Sequence, residues 1–177
     1  SLAVSDVDRA APRGTGSYKV GANYAGGLMA TKLAQELGAN EALYLDSKEG
    51  RYIDEAGSAN IIIATADNVL LTPKSDAILP SITRRSIMTL AAQQLGMKTQ
   101  ERPIDLRGEF ATFAEAAACG TAAVLSPIGK IWFDGAWNKI GSAEEVGPTM
   151  QKVYDLLVGI QKGELDDIHG WCHEIKV

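Results

Sequence analysis

The chain has 177 residues, of which 46% are hydrophobic and 22% charged, with a net charge of −5. That length fits one domain able to bury roughly 70% of the surface its unfolded form exposes, with the balance of a globular rather than a disordered protein. The acidic total offers no basic footprint for nucleic acid or an anionic membrane; no apolar run nears the ~20 residues of a membrane span, and no signal peptide is visible.

Residues 1–18 are polar, with Pro12 and several glycines, and read as an extended lead-in segment; residues 19–177 read as one domain. From Asn23 to about Leu37 the pattern predicts a helix, with Leu28, Met29, Leu33 and Leu37 on its apolar face and Gly38 as the residue that ends it. Its Gly26-Gly27 pair costs about 1 kcal/mol per glycine relative to alanine, which implies close packing or a ligand beside them. Strands follow at Glu41–Asp46, Arg51–Glu55, Ala59–Thr65 and Val69–Thr72, with turn chemistry at Ser47-Lys48-Glu49-Gly50 and Ala66-Asp67-Asn68, and read as an antiparallel meander. A second helix is predicted over Thr83–Leu95, its core side formed by Ile87, Leu90, Ala91 and Leu95. Arg84 and Arg85 in its first turn oppose the helix dipole unless an anion sits there, and Arg85 reads as solvated.

Met97–Ile104 predicts a strand, Glu109–Ala118 an alanine-rich helix and Thr121–Ile128 a buried strand. Lys130–Phe133 and Trp137–Ile140 form a hairpin around Asp134-Gly135. A last helix runs from Gly147-Pro148 to about Lys162, apolar at Val153, Leu156, Leu157 and Ile160, and the tail from Gly163 has no clear element. Cys119 and Cys172 fit no metal or redox spacing and read as two reduced thiols. With only His169 and His173, no histidine metal site is expected.

The stretch Gly14-Thr-Gly-Ser-Tyr-Lys-Val-Gly-Ala-Asn-Tyr-Ala-Gly-Gly27 sets Lys19 in a glycine-lined loop that opens into a helix through Asn23 and Tyr24. Gly14, Gly16 and Gly21 permit φ > 0 and close approach, as a pocket floor requires. Tyr24, five residues after Lys19, can share one mouth with it, which suits an amine nucleophile beside a phenol. A lone loop lysine is more often simply solvated.

Lys-x-Gly-x-Asn-Tyr resembles the lysine motif of the branched-chain aminotransferases, fold-type-IV pyridoxal-phosphate enzymes. The likeness continues, in the family's order, through Asp54-Glu55-Ala56-Gly57-Ser58-Ala59-Asn60, Ile78-Leu79-Pro80-Ser81-Ile82-Thr83-Arg84, Gly120-Thr121-Ala122-Ala123 and the tail from Gly147-Pro148. It implies a mixed α/β fold like the C-terminal domain of D-amino-acid aminotransferase, a mixed sheet forming a partial barrel flanked by helices. It also implies pyridoxal 5'-phosphate as cofactor, with Lys19 as catalytic base and covalent anchor, and Tyr24 on the cofactor's ring oxygen. By the same resemblance Glu55 meets the ring nitrogen, Ile82, Thr83 and Thr121 the phosphate, and Ser58, Thr121 and Ala122 the substrate. A lysine in this role must spend time unprotonated, well below its ordinary pKa of about 10.4.

Taken alone, Glu55 is a solvated carboxylate at a strand end, Tyr24 an aromatic at a helix start, and Thr83 and Thr121 ordinary cap or strand residues. Ala22 and Ser58 stand where the family usually has glycine and threonine, and Arg13 replaces a glycine in many relatives. The family also carries an N-terminal domain, missing here, which gives an arginine to the phosphate and side chains to the pocket. The expected function is therefore the C-terminal part of a cytoplasmic, homodimeric enzyme passing amino groups from leucine, isoleucine or valine to 2-oxoglutarate, with the isolated chain inactive or nearly so. A D-amino-acid aminotransferase, an aminodeoxychorismate lyase and a non-enzymatic binding module are the alternatives.

Overall fold

The computed structural model describes residues 1–143 and 145–175. Its ten strands form two five-stranded mixed sheets. The first has the order β10 (Ala136–Lys139), β9 (Lys130–Phe133), β1 (Leu2–Val4), β2 (Glu41–Leu45), β3 (Ile53–Ala56). The second has the order β6 (Lys98–Arg102), β5 (Val69–Pro73), β4 (Asn60–Thr65), β7 (Phe113–Gly120), β8 (Val124–Pro127). The mixed-sheet partial barrel flanked by helices is thus built from two mixed sheets, facing each other across a core without closing into a full barrel among the described residues.

Alternation along the strands sets the layers, because successive side chains point to opposite faces. Ile61 and Ile63 of β4 join Leu43, Leu45 and Ile53 of the first sheet in a core between the sheets. Ile62 and Ala64 face the other way, onto Ile87, Leu90 and Ala91 of α3 (Ile82–Gln94) and Met150, Val153, Leu157 and Ile160 of α5 (Pro148–Gln161). On the far side of the first sheet, Ala3, Ala42 and Tyr44 meet Ala30 and Ala34 of α2 (Gly27–Glu36). α5 begins where Glu115 of β7 accepts from the N–H groups of Thr149 (3.0 Å) and Met150 (2.8 Å). A Cβ on Gly147 would collide with that carboxylate, which accounts for the Gly-Pro start.

Several expectations are corrected. Leu2–Val4, inside the segment read as a lead-in, is a strand paired in parallel with both β2 and β9. The single helix over Asn23–Leu37 divides at Gly26 into α1 (Gly21–Ala25) and α2. Its packed face is also different: Leu28, Met29, Leu33 and Leu37 are all exposed, while Ala30 and Ala34 are buried. Small side chains let the helix lie close on the sheet, and a Cβ on Gly27 would stand 2.9 Å from the Tyr44 hydroxyl, so close packing explains that glycine but not Gly26. Accordingly, Leu33→Ser in this chain is expected to move stability by no more than about 0.5 kcal/mol. Ala34→Leu is expected to cost about 1–3 kcal/mol. Urea unfolding of the two variants checks both values.

The meander is two hairpins in different sheets, since β2–β3 and β4–β5 pair separately. Glu109–Ala118 is not one helix: α4 (Leu106–Glu109) and a 3₁₀ turn at Phe110–Thr112 lead into β7, which pairs with β4 and β8 on its two sides. Tertiary pairing there overrides alanine's helix propensity. The strand expected over Thr121–Ile128 shortens to β8, and only Leu125 of it is buried. The remaining elements follow the sequence reading: β6, the β9–β10 hairpin with positive φ at Asp134 and Gly135, α3, α5, and Gly38 at φ +82° after α2. The tail shows no helix or strand through residue 175, and its last two positions lie outside the described residues.

Candidate active site

The chain leaves the first sheet at Ala56 and enters the second at Asn60, so Gly57-Ser58-Ala59 crosses between them. A cavity of about 540 Å³ lies at this crossing. Lys19, Tyr24, Glu55, Ser58, Thr121 and Ala122 all line it. Ile82 and Thr83 do not; they are the first residues of α3, directly after the lining residue Ser81. Ser81 caps the helix by accepting from the Arg84 N–H at 3.2 Å. The Ile82 and Thr83 N–H groups precede the helix's internal ladder and so remain available to an anion.

Lys19 is exposed at the rim, its Nζ donating to the Tyr24 hydroxyl at 3.2 Å. The loop beneath it is tied down at Gly16, where a Cβ would stand 2.6 Å from the Ala77 Cα. Close backbone approach is therefore the need at Gly16, whereas Gly14, Gly16 and Gly21 all lack the positive φ that the sequence allowed them. Space around Gly21 is open.

Glu55 is buried at the cavity floor. Its Oε1 is paired with the Arg9 guanidinium at 2.5 Å and accepts from the Leu79 N–H at 3.3 Å, while Oε2 accepts from Asn60 Nδ2 at 2.8 Å. Burial is the largest influence and raises its pKa from 4.5 to about 7, against the pull of Arg9 and the Leu79 N–H. Arg9 also donates to the carbonyls of Gly16 (2.8 Å) and Ala77 (2.6 Å), so one guanidinium joins the carboxylate to the base of the Lys19 loop. The sequence reading assigned no role to Arg9 or Asn60. Asn60 ends the Asp54–Asn60 motif, but nothing in the local pattern marks Arg9, a lone arginine in a polar lead-in.

The first-turn arginines separate as a buried and an exposed residue. Arg84 is buried and donates to the Pro73 carbonyl and to Glu101, both at 2.9 Å, so it answers no anion in the cavity. Arg85 is exposed. Cys119, also on the cavity wall, has its thiol pushed up to about 12 chiefly by burial, which leaves it unreactive at neutral pH. No group of three or more metal-ligating side chains occurs among the described residues.

The family model described as amino-transferase class IV matches residues 1–131. The chain belongs to this family. Among its class IV relatives, the branched-chain-amino-acid aminotransferase of Haemophilus influenzae is 44% identical over 177 residues, covering 97% of this chain and 51% of the relative. That of Helicobacter pylori is 46% identical over 168 residues, covering 95% and 48%. The branched-chain amino acid aminotransferase of Escherichia coli superposes with a TM-score of 0.83 at 31% identity, over 98% of this chain and 56% of that one. The branched-chain amino acid aminotransferase of Thermobaculum terrenum, solved in its PLP-form, gives 0.77 at 29% identity, over 90% and 50%. The chain therefore spans about half the length of the class IV proteins it matches.

Proposed function

We propose that this chain is the cofactor-holding, C-terminal part of a branched-chain amino-acid aminotransferase that works on leucine, isoleucine and valine with 2-oxoglutarate as acceptor. The observation that carries this reading is the meeting of Lys19, Tyr24 and Glu55 in one cavity. That cavity suits pyridoxal 5'-phosphate: an amine at the rim, a buried carboxylate on the floor and a helix start at one side are the three groups its aldehyde, ring nitrogen and phosphate call for. When bound, this cofactor supplies an electron sink for the substrate's α-carbon.

The chain's own residues supply the rest. Lys19 Nζ anchors the cofactor and carries the proton on and off the substrate carbon, and Tyr24, already in its reach, takes the ring oxygen. Glu55 holds a proton on the ring nitrogen, and the Arg9 and Asn60 contacts keep its carboxylate aimed and favour its charged form. The N–H groups of Ile82 and Thr83, with Thr121, bind the phosphate; Ser58, Thr121 and Ala122 take the substrate carboxylate. The helix start contributes at most about 2 kcal/mol, whereas micromolar binding needs about 8. The remaining length seen in the relatives is accordingly proposed to close the open side of the cavity, in a cytoplasmic homodimer. Unpaired Cys119 and Cys172 are in keeping with a reducing compartment, and no described helix is long and apolar enough to cross a membrane.

Mixing the chain with pyridoxal phosphate, reducing with borohydride and mapping peptides tests the site: the added mass is expected on Lys19, and label scattered over surface lysines overturns it. A substrate panel on the longer protein tests the activity. Turnover of leucine is expected, and turnover of D-alanine without leucine counts against the branched-chain assignment.

A further inference from the structure

Asn23 is a polar side chain 4% exposed, on the turn of α1 just before Tyr24. Its amide is fully employed. Nδ2 donates to the Thr15 carbonyl at 2.7 Å and to the Tyr18 carbonyl at 2.9 Å, and Oδ1 accepts from Thr15 Oγ1 at 2.7 Å. The Tyr18 carbonyl belongs to the peptide unit whose nitrogen is that of Lys19, and a peptide unit is planar. Holding that oxygen therefore fixes the plane from which the lysine side chain departs. The same loop is closed by backbone bonds from Tyr18 N–H to the Thr15 carbonyl and from Asn23 N–H to the Val20 carbonyl, 3.0 and 3.1 Å.

We infer that Asn23 is a positioning residue: it sets the register between Lys19 and Tyr24 by clamping the peptide before the lysine to the helix that carries the phenol. An apolar side chain could fill the same space, but it would leave the Thr15 and Tyr18 carbonyls only their local donors, the Tyr18 and Val20 N–H groups, and remove the side-chain bonds that tie the loop to α1. The four-carbon stem of lysine is flexible, so the place of its Cα limits where Nζ can reach. With the clamp, Nζ and the Tyr24 oxygen stand 3.2 Å apart. The inference deepens the cofactor-site reading and rests on it for the meaning of the register, though not for the clamp itself.

The test uses this chain and the variants Asn23→Ala, Thr15→Val and Thr15→Ser, each with two readouts. Amide hydrogen exchange over residues 14–20 is expected to quicken about tenfold or more in Asn23→Ala, as local opening becomes easier. Borohydride labelling with pyridoxal phosphate is expected to lose its preference for Lys19 in the same variant. Thr15→Val, lacking one bond of the clamp, is expected to fall between, and Thr15→Ser, which keeps the hydroxyl, to match the parent. Should Asn23→Ala fail to fold, Thr15→Val decides by the same readouts. Unchanged exchange in a folded variant overturns the clamp, and faster exchange with labelling still centred on Lys19 overturns the positioning role. If the parent itself shows no preference for Lys19, the cofactor-site reading fails, and with it the positioning role; the exchange data then decide the clamp alone.

Discussion

Lys19→Ala is expected to cut the leucine-dependent transamination proposed for the longer protein at least 10²–10⁴-fold, roughly what a positioned proton-transfer group supplies. The side chain is exposed, so the change should move stability by no more than about 0.5 kcal/mol, and lost activity will not be lost fold. Lys19→Arg is expected to be equally inactive, because a guanidinium stays protonated at neutral pH and neither gives nor takes the proton. The assay is glutamate formation from leucine and 2-oxoglutarate, with circular dichroism as the control for folding. Activity within about tenfold of the parent in either variant would remove Lys19 from the chemistry.

Arg9→Ala is expected to destabilise the chain by about 3–5 kcal/mol, since it strands a carboxylate in a site where both side chains are 5–6% exposed. The penalty has a pH dependence whose sign follows from Glu55. Its pKa is raised on folding, from 4.5 to about 7, so the folded protein holds that proton more tightly than the unfolded one. The associated stabilisation is complete below about 4.5 and is lost as pH rises through about 7. Without Arg9 the pKa rises further, so the Arg9→Ala penalty is expected to be smaller at about pH 5 than at about pH 8. Adding Glu55→Gln to Arg9→Ala is expected to recover part of the loss at the higher pH, the mark of coupled neighbours. Urea unfolding at both pH values measures all of this, and a penalty independent of pH would show that the carboxylate is not what Arg9 holds.

The parts of the fold legible in the sequence were those set by local chemistry. Asp134-Gly135 announces a hairpin and takes positive φ at both residues. Pro148 opens α5, and α3 carries its buried residues at helical spacing. What escaped was decided by partners distant in sequence. Ala116 and Ala117 lie in β7 because strands run on both sides of it, and no propensity of alanine foretells that. Leu2–Val4 is too short to show a period, and it is a strand because β2 and β9 flank it. In α2 the reading followed the large side chains, although alanines make the contact. For the candidate site, the structure brings Lys19, Tyr24, Glu55, Ser58, Thr121 and Ala122 to one cavity, which Ile82 and Thr83 adjoin. The supports stayed hidden: the loop contacts of Arg9 and Asn23 are mostly to backbone carbonyls, and a sequence does not display its carbonyls.

Glu55 and Asn60 stand on either side of the Gly57-Ser58-Ala59 crossing, one in each sheet, joined by a 2.8 Å bond. The cavity floor is thus a seam between two stacked layers, and its dimensions are inherited from their spacing. Trimming a residue deep in the inter-sheet core, such as Ile61 or Leu43, would let the layers settle and shift that seam without touching a single lining atom. Variation in cofactor affinity among natural relatives of this chain can therefore be sought in buried aliphatic positions as well as around the cavity.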